Sequence, residues 1–157
     1  PVGVDQDPHL RIARDIGNRY TDYNFIQLSS TYHLFMPGLS GGKMSSSDKN
    51  SYIAMTDSPS EVKNKINKYA FSGGQATIEE HRKKGGNPDV DVAFQWLHYF
   101  EDDDKKLKQW HDDYKSGKML TSELKMILIE KINAYLKEHQ KKRKLAEKQV
   151  GKFLDWC

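Results

Sequence analysis

After Asp57 the chain carries one helix start after another, and this run of punctuation constrains its fold more than any other feature. Ser58-Pro59-Ser60-Glu61 has the form of a capping box with proline at the first helical position, ahead of an apolar face of Val62, Ile66 and Tyr69. Thr77 with Glu80 repeats the signal for a short helix that Gly85-Gly86 ends. Asn87-Pro88 predicts the next start, with Val92, Trp96, Leu97 and Phe100 as a core stripe. A helix with Leu107, Trp110 and Tyr114 closes at Gly117, and a long one runs from Thr121 through Leu124, Ile127, Leu128, Ile132, Tyr135 and Leu136.

Before Ser58 the pattern differs. Val2 and Val4 read as the end of a buried strand, followed by a polar turn and a helix with Asp7 as N-cap and Pro8 in the first turn. Leu10, Ile12, Ala13 and Ile16 support that helix. Phe25-Ile26-Gln27-Leu28 and Ser51-Tyr52-Ile53-Ala54-Met55 read as further strands. The expected fold is an α/β remnant plus an all-α part, divided into residues 1–57 and 58–157. In an open parallel α/β sheet, ligands bind outside the carboxyl ends of the strands, and Asp5, Gln6 and Asp7 fall at such a place. For Asp7, capping the helix is the simpler role.

The segment from Met36 to Asp48 holds Gly38, Gly41, Gly42, Lys43, Met44, Ser45, Ser46 and Ser47. Glycines let backbone approach a ligand closely, successive amides make an anion-binding concavity, and the lysine supplies the balancing charge. An ordinary solvated loop has the same composition, and this stretch by itself does not separate the two.

Four blocks in order carry a resemblance: Val4-Asp5-Gln6-Asp7-Pro8 with Arg11 and Arg14-Asp15; Lys43-Met44-Ser45-Ser46-Ser47; Lys68-Tyr69-Ala70-Phe71-Ser72-Gly73-Gly74; and Ile78 through Val92 with its Glu80-His81-Arg82-Lys83-Lys84-Gly85-Gly86 centre. Together they resemble the tryptophanyl-tRNA synthetases of the eukaryotic and archaeal type, from Pro1 to about Leu136. Tyrosyl-tRNA synthetases are close relatives with a similar lysine loop, but the third and fourth blocks look tryptophan-type.

The resemblance implies the C-terminal end of a class I Rossmann-type nucleotide-binding domain with the KMSKS-type loop (1–57), then a helical anticodon-binding domain (58–157). It implies ATP-dependent activation of tryptophan and its transfer to tRNA(Trp), with magnesium accompanying ATP and no tightly bound cofactor. Lys43, Ser45 and Ser46 take the catalytic positions, and Asp5, Lys43, Met44, Ser45 and Ser46 those for ATP. Gln6 takes the position facing tryptophan. Ser72, Gln75, Thr77, Asn87, Lys141 and Arg143 are the candidate tRNA contacts, although Gln75-Ala76 departs from the Arg-Asp pair expected there. The family's upstream His-x-Gly-His type signature has no counterpart here, so the chain is expected to be the C-terminal part of a longer homodimeric, cytoplasmic protein and inactive alone. A tRNA-binding module and a non-catalytic synthetase-like interaction protein are the alternatives.

Other features bound the reading. No apolar run is long enough to span a membrane. The single cysteine, Cys157, forbids an intramolecular disulfide and cysteine-based zinc sites. Trp96, Tyr99, Phe100, Trp110 and Tyr114 are expected in the core at their helical spacing. Glu101 to Asp104 is read as solvating a helix junction. The basic run Lys137, Lys141, Lys142, Arg143, Lys144, Lys148 and Lys152 is a solvated face in an ordinary protein, and a net charge of +3 gives no global argument for nucleic acid.

Overall fold

A computed structural model describes residues 1–33 and 35–154; Cys157 lies outside the described residues. The chain divides into two compact units, Pro1–Met36 and Pro37–Cys157. The lysine loop therefore groups with the helices that follow it, although the composition changes at Asp57.

In the first unit, β1 (Val2–Gly3) pairs in parallel with β2 (Tyr32–His33), and α1 spans Asp7–Arg19. A 3₁₀ turn, Val4–Gln6, links β1 to α1. Val2 is half-buried and Val4 is exposed, so the expectation of a buried strand through both is corrected: the chain turns at Val4. The cap is corrected as well. Gln6 precedes the helix without a side-chain cap, and Asp7 is its first residue. Residues 25–28 form no strand, and Ile26 is 93% exposed. Residues 51–55 of the second unit form none either. Alternating apolar residues make a strand only where a partner supplies hydrogen bonds, and neither run has one among the described residues.

The second unit contains α2 (Pro59–Tyr69), α3 (Ile78–Lys84), α4 (Val92–Phe100), α5 (Asp104–Lys115), α6 (Thr121–Glu147) and the short α7 (Gly151–Leu154). Ser58 caps α2 as a full capping box with Glu61, and Thr77 caps α3 by accepting from the Glu80 N–H. α4 starts at Val92, not at Asn87-Pro88. Its cap is Asp91, whose Oδ1 accepts from the Ala93 and Phe94 amides at 3.0 and 3.2 Å, while the Asn87 side chain turns the chain locally by accepting from the Asp89 N–H. Gly117, at φ +78°, follows α5 in a conformation that side chains other than glycine rarely take.

α6 is the spine. Leu124, Leu128, Ile132 and Leu136 recur every four residues and are buried against α4 and α2. Val62, Ile66, Val92, Trp96, Leu97 and Tyr114 complete the core. Each fully buried aliphatic side chain there contributes about 1.5–3 kcal/mol. Of the other aromatics expected inside, Phe100 and Trp110 are half-buried and Tyr99 is 52% exposed. After Leu136 no residue of α6 is buried. Helix-favouring residues and the Glu138–Lys142 and Arg143–Glu147 pairs sustain that stretch. Among the described residues no helix is long and apolar enough to cross a membrane.

Candidate functional site

The lysine loop is a closed turn with a fixed base. Gly41 N–H donates to Gly38 C=O at 2.8 Å, and Gly38 N–H donates to Gly42 C=O at 2.7 Å. Gly38 lies so close to the Ser51 and Gly42 oxygens, at 3.1 and 3.3 Å from where a Cβ would stand, that a side chain there would displace the turn. Leu39 is fully buried; its N–H donates to Ser51 C=O and its C=O accepts from Phe71 N–H. Trp96 Nε1–H donates to Pro37 C=O at 2.7 Å. The helical core thus grips the loop from both sides.

Above this base the loop opens. Gly42 has nothing within 4 Å of a notional Cβ. Lys43 is exposed, and among the described residues no carboxylate pairs with it. Met44 and Ser45 are half-buried and Ser46 is exposed. The Ser45 and Ser47 hydroxyls share a 2.8 Å hydrogen bond. Ser51, only 3% exposed, organises the serines: its Oγ accepts from Ser45 N–H at 3.0 Å, and its hydrogen faces the Asp48 and Ser45 carbonyls at 2.7 and 3.0 Å. An ammonium, the Ser46 hydroxyl and a braced glycine backbone can hold an oxyanion. Sequence reasoning missed Ser51, because a hydroxyl six residues from its partner follows no local spacing rule.

Asp5 and Gln6 belong to the other unit, in the exposed 3₁₀ turn before α1. Asp7 is structural. Its Oδ1 accepts from the Tyr32 hydroxyl at 2.6 Å and its Oδ2 pairs with Arg11 at 2.6 Å. The Tyr32 hydrogen bond, followed by the Arg11 charge, holds its carboxyl below the usual aspartate range. Arg14 ties α1 to the return segment through Leu28 C=O and the Ser30 hydroxyl, both at 2.9 Å.

The segments carrying Ser72, Gln75, Thr77 and Asn87 are stitched together. Asn87 N–H donates to Gly73 C=O at 2.8 Å, and Gln75 Nε2 donates to Gly85 C=O at 3.0 Å. Gly73 sits so close that a Cβ would fall 1.9 Å from the Asn87 oxygen. Part of each side chain's capacity is already engaged: Thr77 caps α3, Asn87 Oδ1 holds Asp89, and Ser72 Oγ faces Ala70 C=O at 3.4 Å. The Asn87 side-chain nitrogen and the Gln75 side-chain oxygen have no partner among the described residues.

Beneath them lies a polar knot. Asp91 is fully buried, and its Oδ2 accepts from Gly73 N–H at 2.9 Å and from the Tyr114 hydroxyl at 2.8 Å. Burial, reinforced by the Asp91 charge, pushes the Tyr114 phenol well above its usual value, and the Thr121 hydrogen bond offsets part of this. His81 Nε2 faces Met119 C=O at 2.9 Å while Nδ1 faces the Gln75 N–H, an arrangement that suits the Nε2–H tautomer. Lys125 donates to Ala70 C=O at 2.8 Å, and burial lowers its pKa. The sequence did contain a signal for Asp91, an aspartate directly before an apolar run, but the neighbouring Asn-Pro signal obscured it.

Farther along, Glu101 accepts from Lys131 at 2.9 Å, and this bond holds its carboxyl low. Asp103 caps α5. Arg143 on α6 pairs with Glu147, whereas Lys141 lines a cleft with Lys137 and Lys144.

Comparison with known proteins settles the family. Residues 1–137 match the model of the class I tRNA synthetases (W and Y). The chain belongs to that family. It is 54% identical over 156 residues, 98% of its length, to a tryptophan–tRNA ligase of Sulfurisphaera tokodaii, and covers 40% of that protein. It is 49% identical over 154 residues to the human cytoplasmic tryptophan–tRNA ligase, covering 97% of this chain and 32% of the human one. The crystal structure of tryptophanyl-tRNA synthetase from Aeropyrum pernix K1 superposes with a TM-score of 0.87 at 41% identity, over 97% of this chain and 42% of that one. The chain therefore spans about 40% of the length of the curated archaeal relatives it matches.

Proposed function

We propose that this chain is part of a tryptophan–tRNA ligase, supplying the lysine loop of the ATP site and the helical part that holds tRNA(Trp). The observation that carries the reading is the braced loop with its exposed, carboxylate-free Lys43, in a chain whose relatives are tryptophan–tRNA ligases.

In the proposed reaction a tryptophan carboxylate oxygen attacks the α-phosphorus of ATP in line, the bond to the bridging oxygen breaks, and pyrophosphate leaves with its electron pair. A hydroxyl of the terminal ribose of tRNA(Trp) then attacks the carbonyl carbon of the resulting tryptophanyl adenylate, the ester forms as the anhydride bond breaks, the hydroxyl proton is lost, and AMP leaves. Such displacements depend on positioning and charge stabilisation. Lys43 meets the charge that develops on the departing pyrophosphate, Met44 and Ser46 present their amides to phosphate oxygens, and Ser45 and Ser46 present their hydroxyls, with the Ser45 amide held by Ser51. Asp5 holds the nucleotide ribose and Gln6 faces tryptophan. Magnesium enters as part of the ATP substrate.

Residues 1–57 are assigned to the closing part of a Rossmann-type nucleotide-binding domain and 58–157 to an anticodon-binding domain. The Asn87 side-chain nitrogen and the Gln75 side-chain oxygen remain available for base edges, Ser72 and Thr77 for backbone or water-mediated contacts, and Lys141 and Arg143 for phosphates. The working assembly is a cytoplasmic homodimer.

Amino-acid-dependent ATP–pyrophosphate exchange with the full gene product tests the reading. Exchange with tryptophan alone is expected. Absence of exchange with every amino acid moves the assignment to a non-catalytic relative.

A further inference from the structure

The peptide unit that opens the lysine loop, Pro37–Gly38, is bonded at both of its polar ends. Its carbonyl accepts from the Trp96 indole N–H at 2.7 Å, and its N–H donates to Gly42 C=O at 2.7 Å. Proline fixes its own φ and has no N–H to contribute, and the glycine that follows offers little resistance to rotation of the shared peptide plane. Local chemistry therefore leaves the orientation of this plane open, and the Trp96 and Gly42 bonds settle it.

The orientation carries through to Lys43. Gly42 C=O and Lys43 N–H belong to one trans peptide and point in opposite directions. With that carbonyl turned in toward Gly38, the Lys43 amide is aimed out of the turn. Two hydrogen bonds thus connect the indole to the Lys43 backbone, the first to Pro37 and the second from Gly38 to Gly42.

The indole is itself held firmly. Trp96 is 2% exposed, and Val92, four residues earlier, shares its face of α4. A Val92 methyl group lies 3.8 Å from where a Cβ of Gly41 would stand. Val92 N–H donates to Phe71 C=O at 3.1 Å, and Phe71 N–H donates to Leu39 C=O at 2.8 Å. One face of α4 is accordingly the platform under the loop. Among the described residues, the side chains that hydrogen-bond to backbone between Pro37 and Ser45 are those of Trp96 and Ser51. Ser51 holds the far limb, Trp96 holds the near limb, and Lys43 stands between them.

We propose that Trp96 is a positioning residue for the lysine loop: its indole N–H orients the Pro37–Gly38 peptide and, through Gly42, the direction in which Lys43 is presented. Its effect on rate is exerted through Lys43 and rests on the ligase reading given above.

Two substitutions separate the donor from the ring. Trp96→Phe keeps an aromatic ring and removes the N–H. Trp96→His removes the benzo ring but keeps a donor, because imidazole Nε2 overlies the indole nitrogen. Both are made in the full gene product and assayed at about pH 8, where imidazole is neutral. Tryptophan-dependent pyrophosphate exchange is expected to fall about tenfold in Trp96→Phe with the KM for tryptophan unchanged. Trp96→His is expected to melt lower than Trp96→Phe and yet to stay within about threefold of the wild-type rate. In a Lys43→Ala background, Trp96→Phe is expected to lower the rate by less than about twofold, because the group it positions is gone. Rates that follow the melting temperatures, an equal loss with and without Lys43, or a wild-type rate in Trp96→Phe overturns the proposal.

Amide hydrogen exchange, followed by mass spectrometry, reads the loop without its chemistry. Trp96→Phe is expected to speed it about tenfold over residues 37–45 and to leave the buried stretch of α6 from Leu124 to Leu136 unchanged. No change over residues 37–45, or equal acceleration in α6, overturns the proposal. If the wild-type protein exchanges pyrophosphate with no amino acid, the ligase reading fails and the amide comparison alone decides this one.

Discussion

The Ser51 hydroxyl stands 3.0 Å from both the amide nitrogen and the carbonyl oxygen of Ser45. One buried side chain thereby fixes the backbone two residues beyond Lys43, inside the loop proposed to bind phosphate. A loop that must present amides and hydroxyls to a transition state loses rate when its backbone wanders, because misplaced donors stabilise charge poorly.

Ser51→Ala removes that brace and leaves the Ser45 N–H without its acceptor. A lost hydrogen bond with an unsatisfied partner costs about 1–3 kcal/mol. The expected result is a lower melting temperature and an exchange rate reduced about tenfold, with the KM for tryptophan unchanged. Exchange kinetics at wild-type level would show that the loop needs no brace.

Asp91→Ala tests the knot under the helical part. Four donors converge on that carboxylate, from Gly73, Ala93, Phe94 and Tyr114. Losing the cap and leaving buried donors unsatisfied is expected to cost about 3–5 kcal/mol of unfolding free energy. Tyr114→Phe, which removes one donor, is expected to cost about 1–2 kcal/mol. Urea unfolding of both variants checks the order, and a loss below about 1 kcal/mol for Asp91→Ala refutes the knot's role.

The Tyr114 phenol gives a pH dependence with a definite sign. Its folded-state pKa lies above the ordinary value of 10.0, chiefly through burial. Below pH 10 the contribution is fully present; above it the unfolded chain ionises Tyr114 while the folded one does not, so stability falls as pH rises. In an absorbance titration of the eight tyrosines, one phenolate is expected to appear only with unfolding, and to be missing in Tyr114→Phe. Titration of all eight near pH 10 in folded protein would contradict this.

Local chemistry made much of the second unit legible. Ser58 and Glu61, Thr77 and Glu80, and Gly117 act within a few residues of themselves, and α2, α3 and the end of α5 fall where those residues place them. The strand readings at Phe25–Leu28 and Ser51–Met55 failed because a strand exists through a partner, and apolar alternation does not supply one. The lysine segment was legible as a loop from its own residues, whereas a phosphate-binding role was suggested only by the four blocks taken together. The contacts that hold this loop, from Ser51, Phe71 and Trp96, were not legible, because they join positions up to 59 residues apart. Asp91 and Tyr114, 23 residues apart, were hidden for the same reason.

The most direct test of the account is tryptophan-dependent ATP–pyrophosphate exchange in the full gene product carrying Lys43→Ala. Removing one preorganised donor to transition-state charge costs about 3 kcal/mol, so the exchange rate is predicted to fall about a hundredfold while tryptophan binding, measured by calorimetry, is unchanged. An exchange rate equal to wild type would remove Lys43 from the chemistry and contradict the account.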